Sequence, residues 1–229
     1  LRIVLWTGWG NRVGRITALA AGFLVIGNMA YADVETKTEI KHYTIRGKSA
    51  ADIVSNMDQR GPIVDGSHAL ASIEQDFSLK GRLVKTDRCR IKGFGVVTKF
   101  EITLPKLRTT NGVPARTLKN FKRFYKKAES HELTHRKIYL GCAKRIDQKV
   151  RALRPSKTCS VLEDKVSAII KKEAQRCEAQ HFAFDQKESR RVSRLALMRQ
   201  ALKEFRNPPK REIVLTDLDR LMIERSSGR

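Results

Sequence analysis

Between Leu104-Pro105 and Pro114 the spacing of apolar residues changes from roughly two to roughly three and a half, so the chain must build a sheet first and helices after it. Before the switch, Ile40, His42, Thr44 and Arg46 alternate against Lys41, Tyr43 and Ile45 in a run rich in Thr, Ile and Tyr, which predicts a strand. Ser49 can cap a short helix over Ala50 to Met57, Gly61-Pro62 stops it, and Asp65-Gly66 supplies a turn. Ala69 to Leu79 and Cys89 to Leu104 then read as paired strands, the second ending at Pro105. After the switch, Leu118, Phe121, Tyr125, Ala128, Leu133 and Ile138 fall near one helical stripe that continues through Ile146 and Val150 and stops near Pro155. A second helix is expected from Ser156 or Thr158, carrying Val161, Leu162, Val166, Ile169 and Ile170 toward Cys177, with further helix from Leu195 to Phe205. The fold class is α+β: an antiparallel sheet in a strand-rich half, residues 33–106, and a helical half, residues 107–206, holding the chemistry. Asn207-Pro208-Pro209 closes the compact part, and 207–229 reads as a basic C-terminal tail.

Arg12 and Arg15 precede an apolar run, Ile16 to Gly27, and Ala30-Tyr31-Ala32 follows it, the layout of a secretory signal over residues 1–32 cut after Ala32. A run of about 12 residues falls short of the roughly 20 that cross a bilayer as a helix, so no transmembrane segment remains after cleavage. All four cysteines, Cys89, Cys142, Cys159 and Cys177, lie beyond the cut. An even number in an exported chain favours two disulfides, and without a Cys-x-x-Cys pair a cysteine zinc site or a redox centre is not expected. The 47 Lys and Arg against 24 Asp and Glu, a net charge of +23, make anionic envelope polymers reasonable partners. Paired basic residues such as Lys122-Arg123 and Lys126-Lys127 lack interleaved aromatics, which argues against a stacking platform for nucleic acid.

The most specific signal is His131-Glu132-Leu133-Thr134-His135 inside the long helix. Residues four apart differ by roughly 40° around a helix axis, so both imidazoles project on one side and can share a metal ion. Glu132, displaced by one position, brings a carboxylate beside the ion's open position, where it can accept a proton from water. Histidine pairs of this spacing hold Zn2+ in peptidases, where the metal makes water attack on a carbonyl feasible near neutral pH.

Together the signal segment, Gly61-Pro62, the Cys89 strand leading to Leu104-Pro105, the His131 to His135 helix and the Cys159 helix make the chain similar to the predicted secreted zinc-dependent proteases, a bacterial family. The resemblance spans most of the mature chain. It implies a zincin-like metallopeptidase, secreted or periplasmic, with His131 and His135 as ligands, Glu132 as general base and a peptide or protein as substrate. Many members also carry an Asp-containing segment followed by His-Gly; Phe184-Asp185 matches its start, whereas Arg190-Arg191 stands where the later pair belongs.

Two histidines leave too many positions to water, so a third protein ligand is required. His181 and Asp185 are the candidates, four apart on the next helix. If Cys89 pairs with Cys159, then Cys142 and Cys177 join the two helices, and residues equally far from that bridge face one another. The metal lies roughly 10 to 16 Å along from Cys142, Asp185 about 12 Å along from Cys177 and His181 about 6 Å, which favours Asp185. His181 remains the alternative ligand or a neighbour of the ligands, with Glu173, Glu178 and Glu188 behind it. Tyr125 and Tyr139 flank the motif at a spacing more typical of core than of catalysis. Two other functions stay open at this point: a non-catalytic basic protein binding envelope polymers, and a zinc amidase acting on a non-peptide substrate.

Overall fold

The computed structural model describes residues 34–207. The expected signal segment and the residues after Asn207 lie outside them. The chain is α+β, with a strand-rich first half and a helical second half. Strand β1 (Glu35–Ile45) is followed by α1 (Ala50–Arg60), a small hairpin of β2 (Ile63–Val64) and β3 (Ser67–His68), and the long strands β4 (Ser72–Lys85) and β5 (Cys89–Leu107). Three helices complete it: α2 (Ala115–Arg151), α3 (Cys159–Val192) and α4 (Ala196–Arg206).

Local chemistry explains most of the boundaries. Ser49 accepts the Asp52 backbone N–H at 3.0 Å while the Asp52 carboxylate accepts the Ser49 N–H at 3.1 Å, a reciprocal cap that starts α1. Asp65 and Gly66 both adopt positive φ, 48° and 74°, the backbone that a two-residue hairpin between β2 and β3 requires. Thr158 caps α3 by accepting the Val161 N–H.

The main sheet has the order β1-β5-β4. The β4/β5 pair is antiparallel, as expected, whereas β1 runs parallel to β5, from Glu35 opposite Val97 to Ile45 opposite Leu107. A two-residue period is the same in both kinds of ladder, so the sequence pattern carries no information on this point. Nor does β5 stop at Pro105. The Arg108 N–H donates to the Ile45 carbonyl at 2.9 Å, so even-numbered positions near the end of β5 face β1. Pro105 therefore faces the other side, past Ser72, where β4 has ended and no N–H is needed.

Helix α2 packs across the sheet and α3 packs against α2. Phe100, Ile102 and Leu104 of β5 meet Ile73, Tyr139 and the Cys142–Cys177 disulfide, and Phe94 and Val96 meet Ala143, Ile146 and Val150. A third cluster closes the end of the sheet where β1 finishes and α2 begins: Ile45, Ile53, Met57, Phe121, Phe124, Leu197 and Met198 join β1, α1, α2 and α4. The second disulfide, Cys89–Cys159, ties the start of β5 to the start of α3, so the pairing that was conditional in the sequence is the one found. No helix among the described residues is long and apolar enough to cross a membrane.

Candidate metal centre

Midway along α2 the buried stripe turns polar. Glu132, His135, Tyr139 and Cys142 occupy it, while Leu133, an apolar residue of the expected stripe, is 37% exposed. From α3, Cys177, His181 and Asp185 answer on the facing stripe. Residues spaced by three and four share one helix face, so two long helices clamped at Cys142–Cys177 bring both rows into register along their length.

His131, His135 and Asp185 converge. The Nε2 atoms of the two histidines are 3.0 Å apart, and Asp185 Oδ1 lies 3.2 Å from His131 Nε2 and 3.0 Å from His135 Nε2. These three atoms form a triangle small enough that a divalent ion about 2.1 Å from each of them could be held by all three. Among the described residues this is the cluster of His, Cys, Asp or Glu whose donor atoms could hold a metal. The donor set fits. Phe184 lies against both rings, its centroid 4.8 Å from that of His131 and 5.0 Å from that of His135, so the imidazoles are backed by an apolar surface.

Electrostatics reinforces the convergence. Burial works to raise the Asp185 carboxyl, yet hydrogen bonds from both imidazoles outweigh it and hold the group at about 2. For His131, burial opposes charging more than any other single influence, but the Asp185 hydrogen bond together with the negative charges of Glu132, Asp185 and Glu188 outweighs it, so its value moves up. Glu132 is buried beside His131, His135 and Asp185; burial raises its carboxyl, against the pull of the two histidines.

His181 does not join the three converging atoms. Its Nδ1 sits 2.7 Å from His135 Nδ1, its Nε2 faces Cys177 Sγ at 3.7 Å, and its ring lies against Tyr139 with centroids 4.0 Å apart and planes tilted by 44°. Burial and the neighbouring His135 push it down to about 4, so it is neutral at ordinary pH. A neutral ring has one N–H. If His135 offers Nε2 to a metal, its proton is on Nδ1 and is donated to His181 Nδ1, and the His181 proton is then on Nε2, toward the disulfide sulfur.

The other carboxylates considered from sequence lie elsewhere. Glu173 is paired with Arg145 at 2.7 Å and with Lys149; Glu188 is paired with Lys127 at 2.8 Å and Arg191 at 2.7 Å; Glu178 is exposed. Tyr125 bonds His42 Nε2 at 3.0 Å, away from the cluster. Arg136, the charged residue within the motif helix, points to the sheet, with Nε 2.6 Å from Thr38 Oγ1 and its guanidinium 5.5 Å from the Phe100 ring centroid. His181, expected either as the third ligand or as a neighbour of the ligands, is found as the neighbour, bonded to His135; the packing of Phe184 on both rings was not read from the sequence, where Phe184 served only as the start of the family's Asp-containing segment.

Comparison with curated proteins and with solved structures gives no match. The sequence profile of a family described as "Bacterial protein of unknown function (DUF922)" matches residues 40–191, from β1 to the last turn of α3 and including every residue of the cluster, and the chain belongs to that family.

Proposed function

We propose that this protein is an exported bacterial zinc metallopeptidase, with His131, His135 and Asp185 as the metal ligands and Glu132 as general base. The observation that carries the proposal is the triangle of two imidazole nitrogens and one carboxylate oxygen, 3.0–3.2 Å on a side, with a buried carboxylate one residue from the first ligand. A bound zinc ion would supply Lewis acidity, polarising a substrate carbonyl and acidifying bound water.

The chain's own groups supply the rest. Glu132 takes a proton onto its carboxylate and returns it to the leaving amine, a role suited to a carboxyl whose proton affinity is raised by burial. His181 orients His135 by accepting its Nδ1–H, so that the Nε2 lone pair points into the triangle. Phe184 restrains both ligand rings, and the Cys142–Cys177 bridge fixes the spacing of the helices that carry them. The two disulfides and the basic, exported character fit a periplasmic or secreted setting. Two histidines and a carboxylate also serve non-haem iron. Glu132 favours zinc, because hydrolysis uses a buried carboxylate at that place and oxidative iron chemistry does not require one.

Hydrolysis is the test. Zinc-loaded mature protein is expected to cleave an unfolded protein substrate, to stop when a chelator removes the metal, and to resume on adding zinc. A folded protein that takes up no zinc, and whose binding to anionic polymers weakens steeply with salt, would instead support the envelope-binding reading that its charge of +23 suggests.

A further inference from the structure

The cleft that holds the ligand cluster does not end there. It continues along the seam of α2 and α3 toward the start of α2, where Val64, Leu70, Phe124, Ala128, Val192 and Leu195 line it. These six side chains come from the β2 strand, the segment entering β4, α2, the end of α3 and the link to α4. Phe124 belongs to the adjoining core, and Leu70, Ala128, Val192 and Leu195 pack against that core while still facing the cleft. Two of the polar residues along this stretch are already engaged: Lys127 with Glu188, and His68, whose Nδ1 meets the Gly61 carbonyl at 2.6 Å.

Distance ties this recess to the chemistry. Ala128 precedes His131 by three residues and Phe124 precedes it by seven, which is about 4.5 and about 10 Å along the helix. On antiparallel α3, Val192 follows Asp185 by seven residues and so lies toward the same end. An extended peptide advances about 3.3 Å per residue. A substrate whose scissile carbonyl is held at the triangle therefore places a side chain one to three residues away against the recess, where the six apolar side chains gain by exchanging water for apolar surface.

We infer that this recess is the specificity subsite, and that it selects peptides carrying a large apolar side chain, of the size of Leu, Met or Phe, within about three residues of the cut. The inference rests on the peptidase reading and names its substrate class. Ala128 is the controlling position. It is one turn from His131 and lines the recess at the junction of the terminal core and the cluster around Tyr139, so a larger side chain there competes with substrate for the recess.

Two measurements test it. The first is cleavage of a peptide set in which one position at a time carries Leu, Phe, Ala, Asp or Lys, by the wild type and by Ala128→Leu, with zinc content and thermal midpoint recorded for both. The second is calorimetric binding of the same peptides, blocked at both ends, to the metal-free protein. Leu and Phe are expected to exceed Asp and Lys by at least about tenfold in kcat/KM and in affinity at one position, and Ala128→Leu should shift the preference toward Ala while retaining zinc. Cleavage without such a preference, or a preference that Ala128→Leu leaves intact, would overturn the subsite and leave the peptidase standing. Absence of all cleavage with the apolar order kept in binding would sink the peptidase reading while supporting the recess as an apolar peptide site. Absence of both would overturn both. If Ala128→Leu does not fold, the wild-type profile alone decides.

Discussion

Replacing Glu132 with Gln is expected to leave zinc bound and to lower kcat by about 10²- to 10⁴-fold, the range for loss of a positioned general base. Gln keeps the shape and one acceptor oxygen but has no basic site for the water proton. Glu132 is not one of the three converging donors, so metal content should be unchanged. Glu132 is 6% exposed, and an amide there avoids the desolvation of a carboxylate, so the variant should fold at least as well as the wild type. Kinetics on a peptide substrate, with metal analysis of the same sample, separates the outcomes. A variant within tenfold of the wild type would remove Glu132 from the mechanism, and one that has lost its metal would make it a ligand.

Zinc affinity should fall in a graded way across the two α3 residues that approach the histidines. Asp185→Ala removes a donor atom of the triangle and leaves two imidazoles without a counter-charge, so its affinity should drop by more than about 100-fold, beyond the range for outer partners of a ligand. His181→Leu removes the acceptor of the His135 Nδ1–H but leaves all three ligands, and should cost about 10- to 100-fold. His181→Asn keeps an acceptor near the position of Nδ1 and should recover part of that loss, which a purely space-filling role would not predict. Competition against a chromogenic chelator measures all three. Equal affinities for Asp185→Ala and wild type would exclude Asp185 as a ligand.

Much of this arrangement was legible in the residues, for identifiable reasons. Histidines four apart on a helix must share a face, and helices joined at Cys142–Cys177 must pair residues equally distant from the bridge, so Asp185 opposite His131 and His135 follows from spacing once the pairing is known. Of the two starts open for α3, Ser156 and Thr158, the structure uses Thr158; the cap at Ser49 and the Asp65-Gly66 turn are local chemistry and read directly. Long-range choices did not. The parallel seating of β1 on β5 depends on which edge of the hairpin is free, and nothing within β1 encodes that. The stripe of α2 was misplaced at Leu133 because apolar spacing assumes that burial follows hydrophobicity. Here Glu132 and His135 are buried instead, with Tyr139 and Asp185 against them, and Leu133 faces outward. Such an exchange is the kind of local inconsistency that functional sites introduce into an otherwise regular pattern.

The central claim is that His131, His135 and Asp185 hold one zinc ion between α2 and α3. X-ray diffraction from crystals of the purified protein, collected on either side of the zinc absorption edge, tests it most directly. The account predicts one anomalous peak per chain that vanishes below the edge, about 2.0–2.2 Å from both Nε2 atoms and from one Asp185 oxygen. A zinc-supplemented crystal with the two imidazoles and Asp185 as placed and no peak among them, or a peak that appears only at the iron edge, would contradict it.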